Sequence, residues 1–537
     1  MNDTEHDSVR LSRSDLWQRQ KDFYCREGVT AWQGKIPFYA TSNAFIANAY
    51  AHVILAYMQD VLARSPALAG KPFRIVEVGA GPGIFAYHLV QRLTALLEMV
   101  NDPALDFLYV LTDVAERNLD FWCHHPAWEA AIASGRVDFA PLDLLGEAEL
   151  TLEISGRRLS AAGDDDFVGA PMIAIANYVF DSIPNDLFRM ADGELQEGQV
   201  PRSPVFESNF PANYAVTLED INSPVRYQPI TLPYYNEPAR DALVQRYADE
   251  LTDGHFCIPV AALDVIDRLT AIAGGEMLLL ASDKAYSNHY PMYTVYEPEL
   301  AFHNEAYSIM VNFHALGEYC RQRGGDCYHQ RTQQGLATSA FLAGARFAEL
   351  PRTRLAADTH LATFSPGDLF RLSTHLADAG ASGALDALTA YLNAMQWDPE
   401  LINQHQDVIL DEIADADFSA RKDLAEGVMR AAEHYYHVPD NVDTLSNLGV
   451  VLQELERYDD ALQCYEASQR YGNDSDLLHY RLGLCQLGLG NCAEAVAMFE
   501  AALARNPDYV MAKGWLVQAR EALADEASGE CGSEAQP

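Results

Sequence analysis

The run Ile75-Val76-Glu77-Val78-Gly79-Ala80-Gly81-Pro82-Gly83 joins an apolar segment to a glycine-rich turn, and a helical pattern follows from Ile84. Glycine is needed where backbone turns sharply and must approach a ligand with no Cβ between them. Gly79, Ala80, Gly81 and Gly83 are therefore candidates for the floor of a small-molecule site. Glu77, two positions before the first glycine, is placed to neutralise a cationic amino group such as that of a methionine moiety, or to organise the loop beneath it. A dinucleotide fingerprint wants a small residue where Ile84 stands, and a P-loop wants a closing G-K-[ST] that this turn lacks.

Further polar positions fall where a parallel α/β sheet binds its ligands, at the carboxyl ends of strands. Val110-Leu111-Thr112-Asp113 ends in a carboxylate suited to a ribose diol. Its distance from the glycine turn exceeds the usual ~20 residues, which a long helix and a loop over 101–106 accommodate. Leu142 and Asp143 follow the next strand, and two roles are open to Asp143: reaching an adenine amino group, or capping its own turn. The segment Asn177-Tyr178-Val179-Phe180-Asp181-Ser182-Ile183-Pro184 closes the fourth strand. There Asn177 can donate and accept hydrogen bonds and Asp181 can orient or deprotonate a nitrogen nucleophile, unless either caps the loop. S-adenosylmethionine matches these positions, with Glu77 and the glycine turn at its methionyl end, Asp113, Leu142 and Asp143 at its adenosyl end, and Asn177 as a further cofactor contact where the methyl acceptor lies. Asp181 is expected to orient the methyl acceptor, followed as candidates by Tyr178, Thr41 and Ser42.

The elements that must hold these residues are strands alternating with helices, the pattern of a parallel sheet covered on both faces. Strands are expected at 74–78, 107–112, 136–140, 171–177 and 276–281, and a hairpin over 188–200 turns at Ala191-Asp192-Gly193. A helical lead, 1–69, precedes them and includes an amphipathic helix over 44–62 with Ile46, Tyr50, Val53, Tyr57 and Val61 on one face. Within the α/β domain, 70–364, residues 201–273 read as an insertion, either a substrate-facing lid or a plain structural one.

From Ser365, Pro366 and Asp368 onward the pattern is helical. Leu448-Gly449, Ala461 and Tyr465 recur 34 residues later as Leu482-Gly483, Ala495 and Phe499, the period of a tetratricopeptide repeat. The small residues admit close helix approach and the aromatic fills the gap. A linker with a degenerate repeat, 365–440, should precede repeats over 441–523, whose last helix, 510–523, caps the stack; 524–537 reads as a disordered tail. Two roles are open to the repeats, holding a protein partner or packing as a helical dimerisation element.

With 77 acidic against 37 basic residues, the net charge of -40 repels phosphate backbones and anionic lipid, so neither nucleic acid nor a membrane is an expected partner. It would attract a cationic peptide, though acidity also serves solubility alone. The polar, acidic residues 1–10 do not read as a secretory signal, and the nine scattered cysteines form no C-x-x-C pair, so a reducing cytoplasm is expected. His124 and His125 have no cysteine or carboxylate at ligand spacing, and no metal is expected.

The glycine turn together with 177–184, the hairpin and Ala281-Ser282-Asp283 resembles the MidA-like methyltransferases, relatives of the mitochondrial complex I assembly factor that methylates a protein arginine. Segment 38–43 resembles that family's Thr-Ser loop, and 307–315 with 332–344 its distal segment, so the resemblance covers about 39–350 and leaves the repeats outside. It implies a Rossmann-like class I fold, S-adenosylmethionine and a protein substrate. The chain departs from the family at three places: Asn177-Tyr178 stands for Asn-Glu, Asn43 for a proline, and Ser308-Ile309-Met310-Val311 for Thr-Ala-His-Val. A guanidinium acceptor needs carboxylates to position it, and of these Asp181 and Glu77 remain. The expected protein is thus an α/β methyltransferase domain followed by all-α repeats, acting on a protein side chain; a non-catalytic assembly scaffold and a small-molecule methyltransferase are its rivals.

Overall fold

The computed structural model describes residues 8–32, 39–146, 149–160, 171–203, 214–216, 225–288, 290–293, 298–303, 305–331, 336–363, 368–369, 372, 375, 384–439 and 442–530. The expectations at Phe38, 332–335, Ser365, Pro366, Asn441 and much of 204–224 lie outside these residues. The chain divides into two compact units, Met1–Arg371 and Leu372–Pro537. The lead is therefore not a separate domain: its helices are part of the first unit.

Seven strands build the central sheet: β1 (Phe73–Val78), β2 (Phe107–Asp113), β3 (Val137–Pro141), β4 (Met172–Asn177), β5 (Met277–Tyr286), β6 (Asp326–His329) and β7 (Leu336–Ala343). They lie in the order β3-β2-β1-β4-β5-β7-β6, with Val311–Asn312 adding a short parallel pairing to β5. Neighbours from β3 to β5 are parallel, whereas β7 runs antiparallel to both β5 and β6. Ile75 sits opposite Tyr109 on one side and Ile173 on the other, at the centre of the sheet. Every residue of β1 and β2 is buried, as expected of strands covered by helices on both faces. The chain moves outward from β1 to β3 and then returns to β4, so the strand order reverses between β1 and β4 and opens a crevice at their carboxyl ends. Sequence reading missed β6 and β7. The segment Leu-Ala-Thr-Ser-Ala-Phe-Leu-Ala of β7 carries one β-branched residue, Thr338, and has weak strand propensity of its own.

Helix α1 (Leu16–Glu27) belongs to the lead, α2 (Ala44–Arg64) closes it, and α3 (Ile84–Val100) follows the glycine turn. The expectation of an amphipathic α2 needs correction. Ala47, Ile54 and Met58 are buried along with Ile46, Tyr50, Val53, Tyr57 and Val61, because α3 and the helix Pro351–His360 both pack against it. Asn43 caps α2: its Oδ1 accepts the Ile46 N–H at 3.0 Å. Within the buried surface Asp60 accepts from the Thr353 N–H (2.8 Å) and hydroxyl (2.9 Å) and pairs with Arg352 at 3.1 Å.

The hairpin Asp186–Ala191 and Glu194–Pro201 turns on Asp192-Gly193, both at positive φ (50° and 76°), as a primed two-residue turn requires. Ser8–Arg10 and Arg226–Pro229 add to one side of it and Gly254–Ile258 to the other. The described part of 201–273 packs into the first unit. Its helices Pro238–Glu250 and Val260–Ile272 place Leu243, Tyr247, Leu263 and Leu269 in the main core.

In the second unit the helices Thr444–Glu454 and Tyr458–Arg470 form one pair, and Asp476–Gly488 and Cys492–Arg505 the next. The repeated Leu-Gly has a steric cause. A Cβ on Gly449 would lie 2.6 Å from the Tyr465 ring, and one on Gly483 2.7 Å from the Phe499 ring. The last helix, Val510–Glu530, passes through 524–530, where the sequence was read as a disordered tail. Alanines favour the extension, and the Cys492 thiol donates to Glu526 at 3.1 Å.

Removal of the Asp60 carboxylate leaves the two buried Thr353 donors of the Pro351–His360 helix unsatisfied and the exposed Arg352 unpaired. Asp60→Ala is expected to destabilise the first unit by about 3 kcal/mol, read by denaturant unfolding, while Lys422→Ala on an exposed helix face changes little.

Candidate functional site

The crevice between β1 and β4 holds two adjoining spaces, of about 760 and 500 Å³, which share Tyr24, Trp32, Gly79 and Tyr178. Asp113, Leu142 and Asp143 line the first, with Lys21 and Ser182; Glu77, Ala80, Pro82, Ile84 and Asn177 line the second, with Ser42. Among the described residues none from 201–273 borders either space.

The glycine turn is fixed from two sides. Gly79, Gly81 and Gly83 all have positive φ (66°, 56° and 86°), and a Cβ on Gly81 would fall 2.2 Å from Trp32 Nε1. Below the turn, Asp113 Oδ2 accepts the Gly81 N–H at 3.0 Å while Oδ1 accepts the Ala115 N–H at 2.9 Å. Burial raises the Asp113 carboxyl above its usual range, opposed by these hydrogen bonds. The Ala80 N–H donates to Thr112 O (2.9 Å) and the Leu142 N–H to Asp113 O (2.9 Å), so the ends of β1, β2 and β3 are locked together.

Glu77 is 4% exposed, and Tyr109 donates to its Oε2 at 2.8 Å. Among the described residues it has no ion pair. Burial pushes its carboxyl up to about 8. Asn177 Oδ1 accepts from the Tyr50 hydroxyl (3.0 Å) and the Ser282 N–H (3.1 Å), and its Nδ2 donates to Thr41 O (3.0 Å). It therefore braces the wall between α2, the loop before it and β5. Thr41 is held through its backbone and is fully buried, while Ser42 faces the second space.

Asp143 lines the first space and also caps its own turn, accepting the Leu145 N–H at 3.0 Å. Burial raises its carboxyl, but the Lys21 ammonium at 2.7 Å and the Leu145 N–H outweigh it and bring the value below the usual range.

Tyr178 borders both spaces at φ 53°, a left-handed conformation that costs a non-glycine residue about 1–3 kcal/mol. Burial and the neighbouring Asp181 and Asp283 carboxylates raise its phenol, which stays protonated. Asp181 requires a correction. The short turn Phe180–Ser182 points its carboxylate inward, at 3% exposure, and it borders neither space. Burial pushes it to about 6, and burial together with the neighbouring Asp181 raises Asp283 well above the usual carboxylate range. Asp283 accepts the Val179 and Phe180 N–H groups at 3.2 and 2.8 Å. Ser182, whose hydroxyl donates to Asp181 at 2.8 Å, faces the crevice and hydrogen-bonds Tyr24.

The lead contributes what sequence reading missed: Trp17, Gln20, Lys21, Tyr24 and Trp32 form a wall of the crevice. Gln20 anchors it by a reciprocal pair with the Tyr307 backbone, at 2.7 and 3.0 Å. Among the described residues no group of three or more His, Cys, Asp or Glu is arranged to hold a metal, and no helix is long and apolar enough to cross a membrane. His124 contacts Asp120, and His125 caps Ala127.

Residues 440–508 match the family model of the tetratricopeptide repeat. No curated protein matches the chain in sequence. The chain is similar to a crystal structure from Burkholderia thailandensis described as a candidate methyl transferase bound to S-adenosyl-homocysteine, at 13% identity, over 63% of this chain and 88% of that one, with a TM-score of 0.40. An uncharacterized protein from that organism is similar at 14% identity over the same shares, with a TM-score of 0.35. MamA from Desulfovibrio magneticus is similar at 16% identity over 31% of this chain and 96% of that one, with a TM-score of 0.22.

Because the folded value of Glu77 lies above its ordinary 4.5, the cost of ionising it is absent below that pH and grows as pH climbs toward 8. Glu77→Gln copies the protonated carboxyl. It is expected to stabilise the ligand-free first unit by about 1–3 kcal/mol near pH 7 and to leave it unchanged near pH 4, as read by calorimetric melting.

Proposed function

We propose that the first unit is an S-adenosylmethionine-dependent methyltransferase of the MidA-like kind, acting on a nitrogen of a protein side chain, arginine included. The observation that carries this reading is Glu77, a buried carboxylate in a ligand-sized crevice with no cation beside it among the described residues. An ammonium group satisfies such a carboxylate, and the methionyl end of the cofactor brings one. The fit extends along the crevice. The first turn of α3, whose N–H groups have no intrahelical partners, suits the methionyl carboxylate. Asp113, Leu142 and Asp143 border the first space, where the adenosyl end would lie.

When bound, the cofactor supplies an electrophilic methyl on a sulfonium. The chain supplies position and exclusion of water. Tyr24, Trp32 and Tyr178 enclose the region common to both spaces, and aromatic faces there favour a cation over water. The protonated Tyr178 phenol is a donor at the acceptor end. Asp181 acts as a positioning residue through Ser182 and Tyr24. The small-molecule rival calls for a pocket closed by 201–273; among the described residues the crevice walls come from the lead, the loop before α2, the start of α3 and the strand ends. The repeats of the second unit support a protein partner.

Calorimetric titration with S-adenosylmethionine and S-adenosylhomocysteine tests this reading. Micromolar binding is expected, weakened at least about tenfold by Asp113→Ala. At pH 7 it should release a proton as Glu77 ionises against the incoming ammonium, so the heat should vary with the ionisation enthalpy of the buffer, and not in Glu77→Gln. Absence of binding by the unaltered chain would discard the mechanism in favour of a non-catalytic scaffold.

A further inference from the structure

In the second unit a cavity of about 850 Å³ opens where the segment leading into the helix Thr444–Glu454 passes the end of Tyr458–Arg470. Three of its walls are aromatic. Tyr435 and Tyr471 meet nearly edge to face, with centroids 6.3 Å apart and planes at 74°, while His437 stacks on Tyr471 at 4.2 Å and 17°. The Tyr435 hydroxyl and His437 Nδ1 lie 3.3 Å apart, which braces the corner. The stack covers one face of Tyr471, and the angle between the two tyrosines leaves an open corner beside it.

Asp443 forms another wall. Its carboxylate accepts from the Ser446 N–H (3.0 Å), the Ser468 hydroxyl and the Asn473 amide. All three donors are neutral, so they fix the group without cancelling its charge, and no ion pair to it exists among the described residues. The Glu400 carboxylate also acts on Tyr435. Aromatic faces converging beside an uncancelled carboxylate select an organic cation: the ring quadrupole and the carboxylate both attract it, and both repel an anion. A hard metal ion would need six or so oxygen ligands, which one carboxylate already engaged by three donors does not offer.

We propose that this pocket receives the basic side chain, arginine or lysine, of a protein partner. The inference stands apart from the methyl-transfer reading, since it uses no residue of the crevice between β1 and β4. Charge complementarity with a chain of net charge -40 draws such a partner in, and the corner of rings discriminates among the groups that arrive.

Ligand-observed saturation-transfer NMR on the full chain tests it, with N-acetyl-arginine methylamide as probe and N-acetyl-norleucine methylamide as its neutral counterpart. Arginine is expected to bind in the millimolar range and norleucine not to bind. Tyr471→Leu keeps the net charge and the apolar bulk but removes the ring face, and should weaken arginine binding about threefold or more. Asp443→Asn, which keeps a capping side chain, should do the same and serves as the second variant if Tyr471→Leu fails to fold. Equal binding of the two probes, or arginine binding unchanged by a folded variant, would overturn the proposal and leave only the general attraction of an acidic surface.

Discussion

The first unit depends on what the Asp113 carboxylate does. One oxygen holds the N–H of Gly81 and the other that of Ala115, so a single buried group ties the turn after β1 to the end of β2. The turn needs this tie, since three glycines at positive φ have no side chains with which to hold themselves. Once the loop is fixed, the Gly81 Cα presents a bare surface, and Trp32 rests on it. The helix α3 then begins with its N-terminus against the crevice. The strand reversal provides the place and Asp113 provides the shape.

Around this turn the protein keeps charge where burial opposes it. Glu77, Asp113, Asp181 and Asp283 are all buried, and burial raises each carboxyl. Backbone N–H groups compensate Asp113 and Asp283, and Ser182 compensates Asp181. Glu77 has a phenol alone for an opposing partner, which leaves it with a preference for a cation. A core selected for stability alone would place glutamine there; keeping the acid makes sense where a ligand supplies the missing charge.

How much of this was legible in the sequence follows the range of the interactions. Strands β1 to β5 show as apolar runs, and Glu77, the glycine turn and Asp113 can be read because neighbouring residues define their geometry. Trp17, Tyr24 and Trp32 could not be placed in the crevice from sequence. Their position depends on Gln20 meeting Tyr307, 287 residues away, and Lys21 meeting Asp143, 122 residues away. Asp181 was misplaced for a local reason: it stands three residues after Tyr178, but the turn Phe180–Ser182 directs it inward while Ser182 and Ile183 face the crevice. Residue type and spacing reveal that an acid is available, whereas its direction is set by a turn whose Val179 and Phe180 N–H groups are held by the distant Asp283.

The second unit shows the same division between pattern and placement. A 34-residue recurrence is legible because each repeat satisfies the same steric condition, an aromatic ring lying on a helix where glycine leaves room. The pocket of Tyr435, His437, Tyr471 and Asp443 has no counterpart in that pattern. Its first two rings precede the repeat match at 440–508, Tyr471 ends a helix, and Asp443 serves as an N-cap. An Asp at an N-cap needs no functional explanation by itself, since Ser, Thr, Asn and Asp all fill that role. At Ser475, the corresponding cap of the next helix pair, the protein uses a neutral residue. The carboxylate at Asp443 adds a charge that capping does not require, placed beside the aromatic corner.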